Sequence, residues 1–121
     1  MIVDDNVDFL AAATDLLERE GISVVGVAST SSDAIQLAEQ LRPDLTLVDI
    51  DLGAESGFDL VRRLAQDGGG PAPRVILIST YAERDFAELI ETSPAIGFVS
   101  KPDLSAQAIQ AMLESEPDSG A

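Results

Sequence analysis

LTLVD, residues 45–49, is a short apolar run that ends on an acid. The chain opens in a similar way, because the apolar residues Met1 to Val3 lead into two adjacent carboxylates, Asp4 and Asp5. Both runs read as buried strands that deliver charge to their own C-terminal ends. Like charges side by side repel each other and resist burial. The acid pair at the first strand end therefore indicates half of a cation site.

Apolar and amphipathic runs alternate along all 121 residues, a length suited to one domain with one core. Strands are predicted at 2–3, 22–28, 45–49, 74–79 and 96–100. Helices are predicted at 5–20, from a cap within 29–32 to residue 41, and at 58–66, 83–91 and 104–113. Gly68 to Pro71 reads as a turn, and the chain is expected to fray from Glu114. We expect one domain over residues 1–115 and a disordered tail over 116–121.

Five strand–helix repeats with short connections predict a parallel sheet that carries helices on both faces. Right-handed crossovers favour a flavodoxin-like (βα)5 three-layer sandwich with the strand order 2-1-3-4-5. In such a sheet the C-terminal strand ends meet at one edge, which is where ligands bind. The polar residues expected at this edge are Asp4, Asp5, Asp49, Ser79, Thr80 and Lys101.

The amino-acid composition excludes several classes of function. The chain has no cysteine and no histidine, so it offers neither a disulfide framework nor a histidine phosphodonor. Its net charge of −15 repels nucleic acid and anionic membranes. The sequence has no apolar run of transmembrane length and no signal-peptide pattern. We therefore expect a cytoplasmic protein that binds neither nucleic acid nor membrane directly.

The residue types at this edge favour phosphoryl chemistry on a magnesium site. Three carboxylates without nitrogen or sulfur ligands suit a hard cation, above all Mg²⁺. Asp49 is placed to attack phosphorus and form an acyl phosphate. The only lysine of the chain, Lys101, would neutralise charge on the phosphoryl oxygens.

Four segments resemble the receiver domain of bacterial two-component response regulators. They are IVDDN at 2–6, LTLVDIDLGAESG at 45–57, VILIST at 75–80 and GFVSKP at 97–102. The resemblance covers the chain from Ile2 to about Leu113 and implies a phosphoacceptor switch that is not a turnover enzyme. In this family a sensor histidine kinase or phosphotransfer protein supplies the phosphoryl group. The face formed by helix 4, strand 5 and helix 5 reports the change, and a homodimer is compatible with the resemblance.

Residue roles follow from the same resemblance. It implies that Asp49 is the phosphoacceptor and that Asp4 and Asp5 are the metal-binding acid pair. The backbone carbonyl of Asp51 would be the third protein ligand of Mg²⁺, and Lys101 would meet the phosphoryl group. Further positions are implied for the switch hydroxyl, the residue beside it and the aromatic rotamer that follows the hydroxyl: Ser79, Thr80 and Phe98.

The sequence departs from the family pattern in several places. Gly53 stands where proline is common, which predicts a looser loop after Asp49. Thr80 stands where the family usually has a smaller residue. The Asp51 carboxylate and the Tyr81 ring occupy positions that tune how fast water removes the phosphoryl group. The first strand also looks short, and the eight residues after Leu113 are too few for a helix-turn-helix. We therefore expect action through partners, or an output domain outside this sequence.

Other interpretations of the same residues stay open. Asp4 and Asp5 can be a helix cap with a solvated neighbour, and Phe98 can be ordinary packing. Asp49-Ile50-Asp51 also matches the DxD motif of haloacid-dehalogenase phosphatases, which carry it on their first strand rather than on a third. The main alternative is a pseudo-receiver, a phosphorylation-independent interaction module of the same fold.

Overall fold

A computed structural model describes residues 1–66 and 74–115. The five strands of the main sheet are β1 (Ile2–Val3), β2 (Val27–Ala28), β3 (Leu45–Asp49), β4 (Arg74–Ser79) and β5 (Gly97–Ser100). The helices are α1 (Val7–Arg19), α2 (Ser31–Leu41), α3 (Gly57–Gln66), α4 (Ala87–Thr92) and α5 (Ala106–Ser115). Single 3-10 turns at Glu83–Phe86 and Lys101–Asp103 precede α4 and follow β5. The turn predicted at Gly68 to Pro71 and the tail predicted at 116–121 lie outside the described residues.

The strands pair in the order β2-β1-β3-β4-β5, and every neighbouring pair is parallel. This confirms the predicted flavodoxin-like (βα)5 order. Val3 lies opposite Val48, Asp49 opposite Ile78 and Ser79 opposite Ser100. The register therefore brings the C-terminal ends of β1, β3, β4 and β5 to one edge.

The core consists of two apolar layers, one on each face of the sheet. Successive residues of a strand point to opposite faces, so Ile76 packs in one layer and Leu77 in the other. One layer receives α1 and α5 through Leu10, Leu17 and Ile109, among others. Helix α3 packs in the opposite layer through its buried residues Phe58, Leu60, Val61 and Leu64. Burial on both faces explains why β3 and β4 read as nearly continuous apolar runs.

Several predicted boundaries were wrong. α1 begins at Val7 rather than at residue 5, because the Asn6 side chain caps it by accepting from the N–H groups of Asp8 and Phe9. The same geometry corrects the cap interpretation of the acid pair, since the cap is Asn6. β2 spans two residues instead of seven, because β1 offers partners only for Val27 and Ala28.

The last two helices also differ from the prediction. Residues 83–92 divide into a 3-10 turn and the short helix α4, which buries none of its described side chains. α5 begins at Ala106 and continues to Ser115, so Glu114 is helical rather than frayed.

The segment after Asp49 is a paired hairpin and not the looser loop expected from Gly53. Asp51–Leu52 and Glu55–Ser56 pair antiparallel, with Gly53 and Ala54 in the turn. Gly53 has a φ of +73°, which proline, fixed near −65°, cannot adopt. A two-residue turn that starts with glycine is a hairpin signal, so this feature was present in the sequence and overlooked.

Candidate functional site

Three carboxylates meet at the C-terminal edge of the sheet. Asp4 follows β1 and is fully buried, Asp49 ends β3 and is 5 % exposed, and Asp5 is exposed. One oxygen from each lies within 4.8 Å of the others. β1 and β3 are neighbours in register, so their ends necessarily bring these acids together. The predicted cluster of Asp4, Asp5 and Asp49 is therefore present.

Lys101 supplies the positive charge of this cluster. It starts the 3-10 turn after β5, and its Nζ lies 2.6 Å from Asp4 Oδ2 and 3.0 Å from Asp49 Oδ2. The same Nζ lies 4.3 Å from the centroid of the Phe9 ring, which α1 contributes. One ammonium thus bridges two buried carboxylates beside an aromatic ring.

Backbone donors hold the second oxygen of each buried acid. Asp4 Oδ1 accepts from the N–H of Asn6 at 2.9 Å, and Asp49 Oδ1 accepts from the N–H of Asp51 at 3.0 Å. Asp4 Oδ2 differs, because within residues 1–66 and 74–115 no group meets it with hydrogen-bond geometry. This oxygen forms an ion pair with the Lys101 ammonium, whose Nζ lies 2.6 Å away. The buried Asp4 Oδ2 is thus balanced by one positive charge and has no further partner among the described residues.

The environment raises the pKa of Asp49. Burial disfavours the carboxylate, and it outweighs the N–H of Asp51 and the Lys101 ammonium, which favour the ionised form; the Asp4 charge adds to the rise. For Lys101, burial by itself lowers the pKa, but Asp4 and Asp49 together raise it above its ordinary value. The ammonium therefore stays charged, and the carboxylates of Asp4 and Asp49 share it.

Three of the remaining predicted residues have no described hydrogen bond or ion pair to the acids: Ser79, Thr80 and Phe98. Ser79 is buried, and its Oγ accepts from the N–H of Tyr81 at 2.9 Å. Thr80 is exposed. Phe98 is buried in the layer that contains α3. The Asp51 carboxylate is exposed, and its Oδ1 accepts from the N–H of Gly53.

Sequence reasoning missed three residues that shape the site. Phe9 was read only as an apolar residue of the first helix. Glu55, in the hairpin, accepts through Oε1 from the N–H of Ser31 at 3.0 Å. Gly57 packs directly against the backbone of Asp49, where any Cβ would collide with the Asp49 carbonyl oxygen. The glycine was visible in the sequence, but the tight approach that requires it depends on the fold.

The donor set fits a hard divalent cation. The cluster found among the described residues consists of three aspartates and contains no nitrogen or sulfur ligand. Magnesium is commonly held through one or two carboxylates. The exposed Asp5 carboxylate has no hydrogen bond described for it, and Asp4 Oδ2 is held only by its ion pair with Lys101 among the described residues. The chemistry of this acid cluster, next to the buried Asp49 carboxylate, therefore suits a hard divalent cation.

The sequence profile of the family described as response regulator receiver domain matches residues 1–114. The transcriptional regulatory protein PdtaR of Mycobacterium tuberculosis is 26 % identical over 102 residues, which are 84 % of this chain and 48 % of that protein. The chain thus spans about half the length of this curated relative. None of the helices in the described part is long and apolar enough to cross a membrane.

Solved structures give the same similarity. A two-component response regulator of the LuxR family from Aurantimonas sp. SI85-9A1 has a TM-score of 0.83 and 30 % identity, covering 98 % of this chain and 89 % of that one. A response regulator from Burkholderia pseudomallei, solved with a phosphorylated aspartic acid, a calcium ion and citrate, has a TM-score of 0.79 and 28 % identity. That match covers 94 % of this chain and 65 % of the other.

Proposed function

Because the chain belongs to the response regulator receiver domains of two-component systems, we propose that it is a phosphoacceptor switch and that Asp49 takes the phosphoryl group. The observation that carries the proposal is the environment of Asp49. Its carboxylate is buried at the end of β3, with Oδ1 on the Asp51 N–H and Oδ2 on the Lys101 ammonium. A carboxylate so oriented is suited to attack phosphorus.

In the proposed reaction a histidine kinase or phosphotransfer protein is the donor. A carboxylate oxygen of Asp49 forms the new bond to phosphorus, and the bond from phosphorus to the donor nitrogen breaks. The electron pair of that bond leaves with the donor imidazole. Lys101, already 3.0 Å from the carboxylate, is placed to meet the negative phosphoryl oxygens. The reaction is a single transfer onto the protein itself, so the chain is not a turnover enzyme. Water later attacks phosphorus, the bond from phosphorus to the Asp49 oxygen breaks, and inorganic phosphate leaves.

Mg²⁺ is the proposed cofactor. The carboxylates of Asp4, Asp5 and Asp49 and the backbone carbonyl of Asp51 would hold it. When bound, the ion supplies positive charge that offsets charge on the transferred phosphoryl oxygens. The residues of the chain do the rest, since Lys101 balances Asp4 and Asp49 and the Asp51 N–H fixes the angle of the Asp49 carboxylate.

The proposed switch begins at Ser79, with Thr80 beside it at the entrance to the site. The Ser79 hydroxyl, now accepting from the Tyr81 N–H, would turn toward phospho-Asp49, and Phe98 would respond. Movement of the face formed by α4, β5 and α5 is favoured because α4 fully buries no described side chain. A partner or a second copy of the chain would read this face in the cytoplasm. With the net charge of −15, direct binding of nucleic acid or membrane is not proposed.

Intact-mass measurement after incubation with Mg²⁺ and acetyl phosphate tests the proposal, with Asp49→Ala as the control. We expect the wild-type chain to gain one phosphoryl group and the variant to gain none. If both proteins gained a phosphoryl group, the acceptor would be a residue other than Asp49. No gain by either, together with no Mg²⁺ binding, would favour the alternative, a phosphorylation-independent pseudo-receiver.

A further inference from the structure

Glu55, in the hairpin that follows Asp49, contacts the start of α2, 24 residues away in sequence. Its Oε1 accepts from the N–H of Ser31 at 3.0 Å. Ser31 is the first residue of α2 and is buried, and the first N–H groups of a helix have no partner within the helix. Thr30, the N-cap residue, accepts from the N–H of Asp33 in the same first turn and not from that of Ser31. Glu55 therefore satisfies a buried donor that the helix itself leaves unpaired.

The hairpin that carries Glu55 also touches the acid cluster at two points. Asp51, in the partner strand of the hairpin, donates its N–H to Asp49 Oδ1 at 3.0 Å. The turn lies beside Asp5, because a Cβ on Gly53 would be 3.0 Å from Asp5 Oδ2. Any displacement of the hairpin would thus move a donor away from Asp49 and the turn away from Asp5.

This hairpin has few anchors of its own. It contains two residue pairs, Asp51 with Ser56 and Leu52 with Glu55, and a hairpin of that size is unstable in isolation. Leu52 fixes it to the core by burial. The accepting side-chain oxygen of Glu55 adds a hydrogen bond to the first N–H of α2, which resists rotation of the hairpin about the buried leucine.

We propose that Glu55 is a positioning residue for Asp49: by binding the N-terminus of α2 it holds the hairpin so that the Asp51 N–H stays on the acceptor carboxylate. The inference rests on the proposed function only where it concerns the rate of phosphorylation. Its structural half, the coupling of Glu55 to the Asp51 amide, stands without any phosphoryl transfer.

The test compares Glu55→Ala with Glu55→Gln, which keeps the accepting oxygen, and with Glu39→Ala, an exposed acid of α2, as the matched control. Amide hydrogen exchange at Ser31 and Asp51 and the rate of phosphorylation by acetyl phosphate with Mg²⁺ are measured. For Glu55→Ala we expect exchange at both amides to accelerate and phosphorylation to slow by about fivefold, the factor for one hydrogen bond of ordinary strength. Glu55→Gln should stay within about twofold of the wild type, and Glu39→Ala should be unchanged.

Two results would overturn the inference. The first is faster exchange at Ser31 alone, with the Asp51 amide unchanged, which would make Glu55 only a helix cap. The second is a slow Glu55→Gln variant, since the effect would then come from charge. If the wild-type chain takes no phosphoryl group, the proposed function fails, but the exchange rates still decide the role of Glu55. If Glu55→Ala folds poorly, Glu55→Asp, one methylene shorter, gives the same comparison.

Discussion

The centroid of the Phe9 ring lies 4.3 Å from the Nζ of Lys101. At this distance the face of the ring attracts the ammonium, by about 0.5–2 kcal/mol depending on how far the pair is desolvated. The side chain of Lys101 is largely buried, so the attraction is not fully screened by water. The ring thus helps to hold the one lysine of the chain between Asp4 and Asp49.

Replacing this ring should loosen Lys101. For Phe9→Leu, which keeps an apolar side chain without the ring, we expect phosphorylation by acetyl phosphate to slow by about twofold to fivefold, corresponding to the lower half of the cation–π range. Phe9→Tyr retains the ring and should match the wild type. Equal rates for all three proteins would show that the ring does not position the lysine.

The raised pKa of Asp49 predicts a pH-dependent gain of stability for Asp49→Asn. An acid whose pKa is raised by folding binds its proton more tightly in the folded chain. Its contribution to stability is therefore fully present below the ordinary value of 3.8 and is lost as the pH rises through the raised pKa. At pH 7 the ionised Asp49 is a cost that asparagine removes. Urea unfolding should show Asp49→Asn to be more stable than the wild type at pH 7, with a smaller difference at pH 4.

A matched control is Asp85→Asn, which neutralises an exposed acid before α4. It should change the free energy of unfolding little at either pH. A gain for Asp49→Asn that is the same at pH 7 and pH 4 would contradict the assignment of the gain to ionisation of Asp49.

Asp5→Asn should separate stability from cation binding. Asp5 adds a third negative charge to a cluster that has one lysine, so its neutralisation should raise the free energy of unfolding in EDTA by up to about 1 kcal/mol. The same change should reduce the rise in melting temperature on adding Mg²⁺, because binding to the folded state stabilises it by mass action. An unchanged Mg²⁺ response would remove Asp5 from the proposed metal site.

Gly57→Ala should be strongly destabilising. A Cβ at residue 57 would collide with the carbonyl oxygen of Asp49 and approach the Cα of Ile50 at 2.7 Å, and backbone atoms cannot move aside cheaply. We expect a loss of about 2–3 kcal/mol in urea unfolding. Gly97→Ala is the control, because its Cβ would approach only the flexible Met112 side chain, at 2.8 Å to the sulfur. Equal losses for the two variants would show that the Asp49 backbone yields.

The carboxylate of Asp51 is expected to affect the lifetime of phospho-Asp49. Asp51→Asn removes the charge and keeps the oxygen that accepts from the Gly53 N–H, so the hairpin should be preserved. A negative charge beside the acyl phosphate should influence the attack of water. We therefore expect the decay rate measured by intact mass to differ from that of the wild type. Identical decay rates would end this hypothesis.

The pattern of apolar runs predicted the five strand–helix repeats and the charged residues at the strand ends, and it favoured the parallel strand order that the structure has. It did so because burial on both faces makes β3 and β4 continuously apolar, and because a polar residue at the end of such a strand has one edge to occupy. The positions of Asp4, Asp49 and Lys101 at that edge followed from the same pattern, and the structure brings them within ion-pair distance.

The surroundings of those residues depend on how separate elements pack in the fold. The Phe9 ring contacts Lys101, Glu55 contacts the start of α2, and Gly57 contacts the Asp49 backbone. In each pair the two partners belong to different elements of secondary structure. Local patterns of hydrophobicity do not predict such contacts, because the contacts form only when separate elements pack against each other. The length of β2 was likewise decided by its neighbour, since a strand extends only as far as β1 offers backbone groups to pair with.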